Sequence, residues 1–187
     1  MLLRFLTLVF LVTFSQLVKA QSQNDVRERH ITSVDVTATD YKKSGQVKRS
    51  FTRYNRKGNV IEQVEYDKDG TTIENWTRYR YNRRGRIISE AQLSPSGDTL
   101  QIIHTRYNRF RHPVETVTTN AAGQILEKEI PMYDNFHRKT EELTLSGNGT
   151  VLKRVTYQYD TKGMLIARRT YDAQGNLQYE KIWKFEY

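Results

Sequence analysis

The feature that most restricts this chain is a spacing. Tyrosines at 54, 81, 107, 133 and 159 open similar stretches, at steps of 27, 26, 26 and 26 residues. A glycine later in each stretch, at 70, 97, 123, 149 and 175, keeps the same steps. Self-similarity with a period of about 20–50 residues is the mark of a stacked repeat. No unit of such an array buries its apolar face alone, so each must lean on its neighbours.

Each unit carries two four-residue punctuations. The first series is NRKG, NRRG, NRFR, DNFH and DTKG, beginning at Asn55, Asn82, Asn108, Asp134 and Asp160. The second is DKDG, SPSG, NAAG, SGNG and DAQG, beginning at Asp67, Ser94, Asn120, Ser146 and Asp172. An opening Asn, Asp or Ser caps the backbone of a type I turn, and a closing Gly takes the left-handed position after it. Arg111 and His137 stand where that Gly is expected. Either those turns change type or they hold a costly backbone conformation.

Between the turns lie segments of about 8 and 10 residues rich in Thr, Val, Ile, Tyr and Leu, which are strand lengths and strand compositions. Helical periodicity does not persist. The chain therefore reads as all-β: an antiparallel meander of about a dozen strands in 26-residue two-hairpin units. So many twisted strands are expected to form a curled strip or a partly closed single sheet. An even repeat returns each side chain to its own face. The single 27-residue step predicts a β-bulge between Thr71 and Tyr81. Simple alternation places Val60, Val64, Tyr66, Ile87, Ala91, Leu93, Leu165 and Tyr171 on the face of the unit-opening tyrosines. Ile73, Ile102, Leu126 and Leu152 fall on the other.

Residues 157–165, YQYDTKGML, together with YDAQGNL at 171–177 and YRYNRRGRI at 79–87, resemble the YD-repeat, or RHS-type, family. The resemblance covers 41–187 and implies a long hairpin strip in surface or exported proteins, some of them toxin-enclosing and some carbohydrate-associated. Five units are too few to enclose a toxin, so that role is not carried over. Short MORN-like hairpin-repeat proteins look similar too and imply a non-catalytic role.

Residues 1–20, MLLRFLTLVFLVTFSQLVKA, read as a secretory signal: a basic residue, a short apolar run and a small-residue end. An N-terminal segment, 21–40, then leads into the first strand, and the repeat domain spans 41–187. Export to the periplasm or cell surface is expected, with no transmembrane segment once the signal is removed. Cysteine is absent, so stability rests on packing and strand pairing without disulfides. The formal net charge is +9, two units of it from Arg4 and Lys19 of the leader. An exported basic protein meets anionic polysaccharide or lipid head groups far more than nucleic acid, which is not an expected partner.

A meander sends alternate turns to opposite margins. The first series carries Arg56, Lys57, Arg83, Arg84, Arg86, Arg109, Arg111, Arg138, Lys139 and Lys162, with His112 and His137. The second mixes Lys68 with Asp67, Asp69, Asp98 and Asp172. One basic rim is thus a candidate anion-binding surface, set against the ordinary use of Lys and Arg to keep sheet edges soluble. The ladder Tyr54, Tyr81, Tyr107, Tyr133 and Tyr159 suits cross-strand packing; exposed, it would suit sugar rings. No catalytic motif, metal-ligand spacing or cofactor fingerprint is present. The reading is a non-enzymatic protein that binds such an anionic polymer, or a partner protein, without cofactor or metal. A structural module pairing through open edges, with KIWKFEY as the docking strand, is the alternative. An enzyme with a site assembled across strands is the third.

Overall fold

The computed structural model describes residues 22–39 and 45–186. The leader, Tyr41 to Ser44 of the opening half unit, and Tyr187 lie outside the described residues. After a short helix, α1 (Gln23–Glu28), come twelve strands. These are β1 (Ser33–Thr39), β2 (Gln46–Tyr54), β3 (Val60–Tyr66), β4 (Ile73–Tyr81), β5 (Ile87–Leu93) and β6 (Thr99–Tyr107). They continue with β7 (Pro113–Asn120), β8 (Ile125–Tyr133), β9 (Lys139–Ser146), β10 (Val151–Tyr159), β11 (Leu165–Asp172) and β12 (Leu177–Ile182). All lie in one sheet in sequence order, every neighbour antiparallel, and the described sheet does not close, since β1 and β12 are both edges.

The turns form as their residues dictate. In the first, the Gly58 N–H donates to the Asn55 carbonyl at 2.9 Å, and the Asn55 N–H donates to the Asn59 carbonyl at 2.9 Å. Asn55 Oδ1 accepts the N–H groups of Lys57 and Asn59. The same side-chain cap recurs at Asp67, Asn82, Asn108, Asn120, Asp134, Asp160 and Asp172. Ser94 and Ser146 cap through Oγ. The glycine that closes the first turn has φ 74°, in the left-handed region.

Arg111 and His137 keep the same turn and occupy that region at φ 78° and 63°. A side chain there costs about 1–2 kcal/mol. Arg111→Gly should therefore raise the melting temperature, by an amount corresponding to about 1 kcal/mol. His137→Gly should gain less, because its ring packs against Phe110, tilted by 39° with centroids 4.4 Å apart. A fall on Arg111→Gly would show that this turn depends on its arginine.

The simple face assignment needs correction. Each hairpin from β2 to β12 carries a bulge beside its turn. Tyr54 pairs with Val60 and Arg53 with Glu62, leaving Ile61 over; Tyr81 pairs with Ile87 and Arg80 with Ser89, leaving Ile88 over. One extra residue flips the parity of the strand beyond it. Val60, Ile87 and Leu165 stay on the tyrosine face, whereas Val64, Tyr66, Ala91, Leu93 and Tyr171 lie on the opposite one. Ile73 and Ile102 share that opposite face, while Leu126 and Leu152 are themselves the extra residues of their strands. Two bulges per unit cancel, so the 26-residue register survives.

The 27-residue step is absorbed elsewhere than predicted. A bulge does fall within Thr71–Tyr81, at Glu74, but it is the one every hairpin from β2 to β12 has. The additional residue lengthens the loop: the Asp67 N–H donates to Thr72, five residues on, where the equivalent bond at Ser94 reaches Asp98, four residues on.

A single-layer sheet has little interior. Among the described residues the buried apolar side chains are Val26, Val64, Leu93, Val155 and Ala167, and Thr52, Glu62, Ser89 and Thr144 are buried polar ones. Along the even strands the tyrosine face is the better covered: Thr77, Tyr79 and Tyr81 are half-buried, while Arg78 and Arg80 are exposed.

Candidate functional site: a basic margin

The sheet order sends the five turns of the first series to one margin. Neighbouring tips there are two strands apart, about 10 Å. Arg56, Lys57, Arg83, Arg84, Arg109, Arg111 and Lys162 are exposed at these tips. The other three candidates are engaged in the scaffold. Arg86 lies over the Tyr107 ring at 5.2 Å and Arg138 over Tyr159 at 4.8 Å. Arg138 also pairs with Asp134 at 2.7 Å, and Lys139 with Glu142 at 2.7 Å.

The tyrosines bind the margin to the sheet. Hydroxyls of Tyr81, Tyr107 and Tyr159 donate to the carbonyls of Val60, Ile87 and Lys139, each the first strand residue after the preceding unit's turn. Burial pushes the Tyr81 hydroxyl up to about 12 and also raises Tyr54, Tyr107, Tyr133 and Tyr159. The residue that follows the second, third and fourth turns covers the next tyrosine: Arg86 on Tyr107, His112 on Tyr133 with centroids 4.9 Å apart, Arg138 on Tyr159. The half-buried rings form a structural spine along this margin.

Sequence reasoning missed α1. Ser22 and Asp25 form a capping box, in which the Asp25 N–H donates to Ser22 Oγ and Ser22 N–H donates to the Asp25 carboxylate. The Ser-x-x-Asp signal was available but lay in a stretch too short to show helical periodicity. The helix buries Val26 and sits on the first tip: Gln23 Nε2 donates to the Lys57 carbonyl at 3.2 Å and to Asn59 Oδ1 at 2.7 Å. Gly58 permits this approach, since a Cβ there would lie 2.5 Å from the Gln23 carbonyl oxygen.

Between α1 and the first two tips lies a shallow cleft lined by Gln23, Arg27, Lys57, Asn59, Arg83, Arg84 and Gly85. Four of the lining residues are cationic, two carry amides and none carries a carboxylate. Asp134 at a later tip is neutralised differently: burial raises its carboxyl, but N–H groups of Arg138 and Phe136 and the Arg138 guanidinium hold it below the usual range. The arrangement can hold an anion.

The opposite face carries a site of another kind. Glu62 is buried and receives Arg78 at 2.7 Å, Arg53 at 2.9 Å and the Trp76 indole N–H at 2.9 Å. Burial alone would raise its pKa; the hydrogen bonds of Arg78 and Trp76 and the charge of Arg53 outweigh that and lower it. On the tyrosine face burial raises Glu90, and burial with the charges of Glu142 and Glu127 raises Glu129.

No family model matches the chain, and no curated protein matches it. Among solved structures, TcdB2-TccC3 without its hypervariable C-terminal region is similar at TM-score 0.54 and 15% identity, over 80% of this chain and 9% of that one. Full TcdB2-TccC3 gives TM-score 0.55 and 14% identity, again over 80% and 9%. A porin-like protein from Bacteroides uniformis ATCC 8492 gives 0.49 and 14%, over 78% and 74%, and adds nothing to the fold assignment. The likeness is one of fold, a β-repeat strip, and the chain spans less than a tenth of the first two structures.

Proposed function

We propose that this is an exported, non-enzymatic repeat protein of the YD type that binds an anionic envelope or extracellular partner through its basic margin. The observation carrying this reading is the cleft between α1 and the first two tips, where Arg27, Lys57, Arg83 and Arg84 converge with no carboxylate among the lining residues. Seven tip cations exposed along one margin extend that field beyond the cleft. The leader-like residues 1–20 support export, and the YD-like turns support the family.

Retention on an immobilised polyuronate, measured across a salt gradient, tests it. Exposed charges are screened within about 8–10 Å at moderate salt, so retention should fall steeply as salt rises. Arg83→Gln with Arg84→Gln should weaken binding about thirtyfold, at roughly 1 kcal/mol for each cation near an anionic surface. Salt-independent retention, or a double variant that binds as wild type, would sink the reading.

A second reading, an assembly module, draws on β12, whose six residues are all exposed and which has one strand neighbour. Concentration-dependent oligomers that ignore the Arg83 and Arg84 changes would favour it.

A further inference from the structure

We infer that the anionic partner is a lipid bilayer, with Phe110 and Phe136 entering the boundary between head groups and acyl chains while the surrounding cations meet lipid phosphates. This rests on the anion-binding reading and narrows its partner. The five tips of the basic margin share one turn plan, and its third residue is Lys57, Arg84, Phe110, Phe136 and Lys162 in turn. The margin therefore changes character along its length. Beside α1 the central tip residues are cationic; at the third and fourth tips the same outward position is aromatic.

Water gives no reason for that change. Phe136 is 78% exposed, the most exposed large apolar side chain among the described residues, and Phe110 is 47% exposed. Met164, just past the fifth tip, is also exposed. Apolar groups gathered at one margin and rimmed by charge mark an interaction surface. Arg109, exposed at its tip, lies over the Phe110 ring at 4.5 Å, while Arg138, already paired with Asp134, lies over Phe136 at 5.1 Å and steadies that ring. Paired aromatic and basic side chains suit an anionic bilayer, the ring at the acyl boundary and the guanidinium at the phosphate.

The wedge is also preorganised. Phe110 packs on His137 across the two tips, and His137 stacks on His112 with centroids 5.5 Å apart and planes 18° from parallel. His137 holds its left-handed backbone while making these contacts. Asp134 adds little repulsion, because its Oδ1 caps backbone N–H groups and its Oδ2 pairs with Arg138.

The test uses the full chain as processed by the producing cell, and phosphatidylcholine vesicles with or without phosphatidylglycerol. Wild type should sediment with the anionic vesicles and not with the neutral ones. Phe110→Ser with Phe136→Ser should reduce that partitioning about tenfold or more, since two burials are lost, while polyuronate retention is unchanged. Phe136→Trp, which keeps an aromatic ring, should add a blue-shifted emission on anionic vesicles alone, read as the difference from wild type with its own Trp76 and Trp183. A serine variant that partitions as wild type, or a difference emission in Phe136→Trp that does not move, overturns the lipid inference. Wild type held by polyuronate but not by vesicles does so as well and leaves the anion-binding reading standing; failure to bind either ends both.

Discussion

Glu62→Ala should destabilise the protein by about 2 kcal/mol at neutral pH, a fall of roughly 4–8 °C for a chain of this size. Removing one member of a buried ion pair typically costs about 3–5 kcal/mol because the other charge stays buried. Here the two arginines are about half exposed, at 49% and 48%, so they rehydrate and the loss is smaller. What remains is the Trp76 indole N–H left without its acceptor and a void where the carboxylate packed.

The pH dependence identifies the cause. Glu62 has a lowered folded-state pKa, so its contribution is fully present above the unfolded-state value and is lost as pH falls through the folded one. The gap between wild type and variant should therefore close on acidification. Glu90 and Glu129 act with opposite sign: their folded pKa values are raised, so their contribution is present at low pH and lost as pH rises through those values. The total profile mixes both signs, and only the difference between wild type and variant isolates Glu62. Paired denaturation curves across acid and neutral pH measure it; a gap that ignores pH would show that the ion pairs contribute nothing.

The period of the chain made the strand number, the sheet order and the two margins legible, because turn chemistry is local: an Asn, Asp or Ser side chain meets an N–H two or four residues away. The faces were not legible. Ile61 and Ile88 bulge out of register beside their turns, and nothing in an isoleucine marks it as the extra residue. A parity argument that counts correctly through every turn still assigns Val64 and Leu93 to the wrong side. The Glu62 network was hidden for the same reason, since Glu62, Trp76 and Arg78 share a face only once the bulges are placed.

The candidate site divides similarly. Cations at turn tips follow from the sequence, but which of them are committed does not. Arg86 and Arg138 look like Arg83 and Arg84 in composition, yet they stand one place beyond the turn and cover the next unit's tyrosine. The repeat itself held that signal, because the positions after the turns at Arg86, His112 and Arg138 are all flat, cationic or aromatic groups able to lie on a ring. Arg27 required the tertiary fold: it reaches the cleft only because α1 docks on a tip more than two dozen residues away.

That docking leads to the largest single effect expected, in Gly58→Ala. Two costs combine there. The residue holds φ 74°, where any Cβ costs about 1–2 kcal/mol. The added methyl would also stand 2.5 Å from the Gln23 carbonyl oxygen and 3.4 Å from the Arg27 nitrogen, backbone atoms that can yield only if the helix moves. Lifting α1 would uncover Val26, whose burial contributes up to about 1.5–3 kcal/mol. The loss should reach about 3 kcal/mol, or roughly 6–12 °C. Gly123→Ala supplies the comparison: its φ is 79° and its Cβ would meet nothing within 4 Å, so it incurs the backbone cost alone. It lies on the opposite margin and should leave polyuronate retention untouched. Gly58→Ala should weaken retention, because Arg27 leaves the cleft with the helix. Equal melting temperatures for the two variants would mean that α1 does not rest on the first tip, and the cleft would lose the wall on which the anion-binding reading depends.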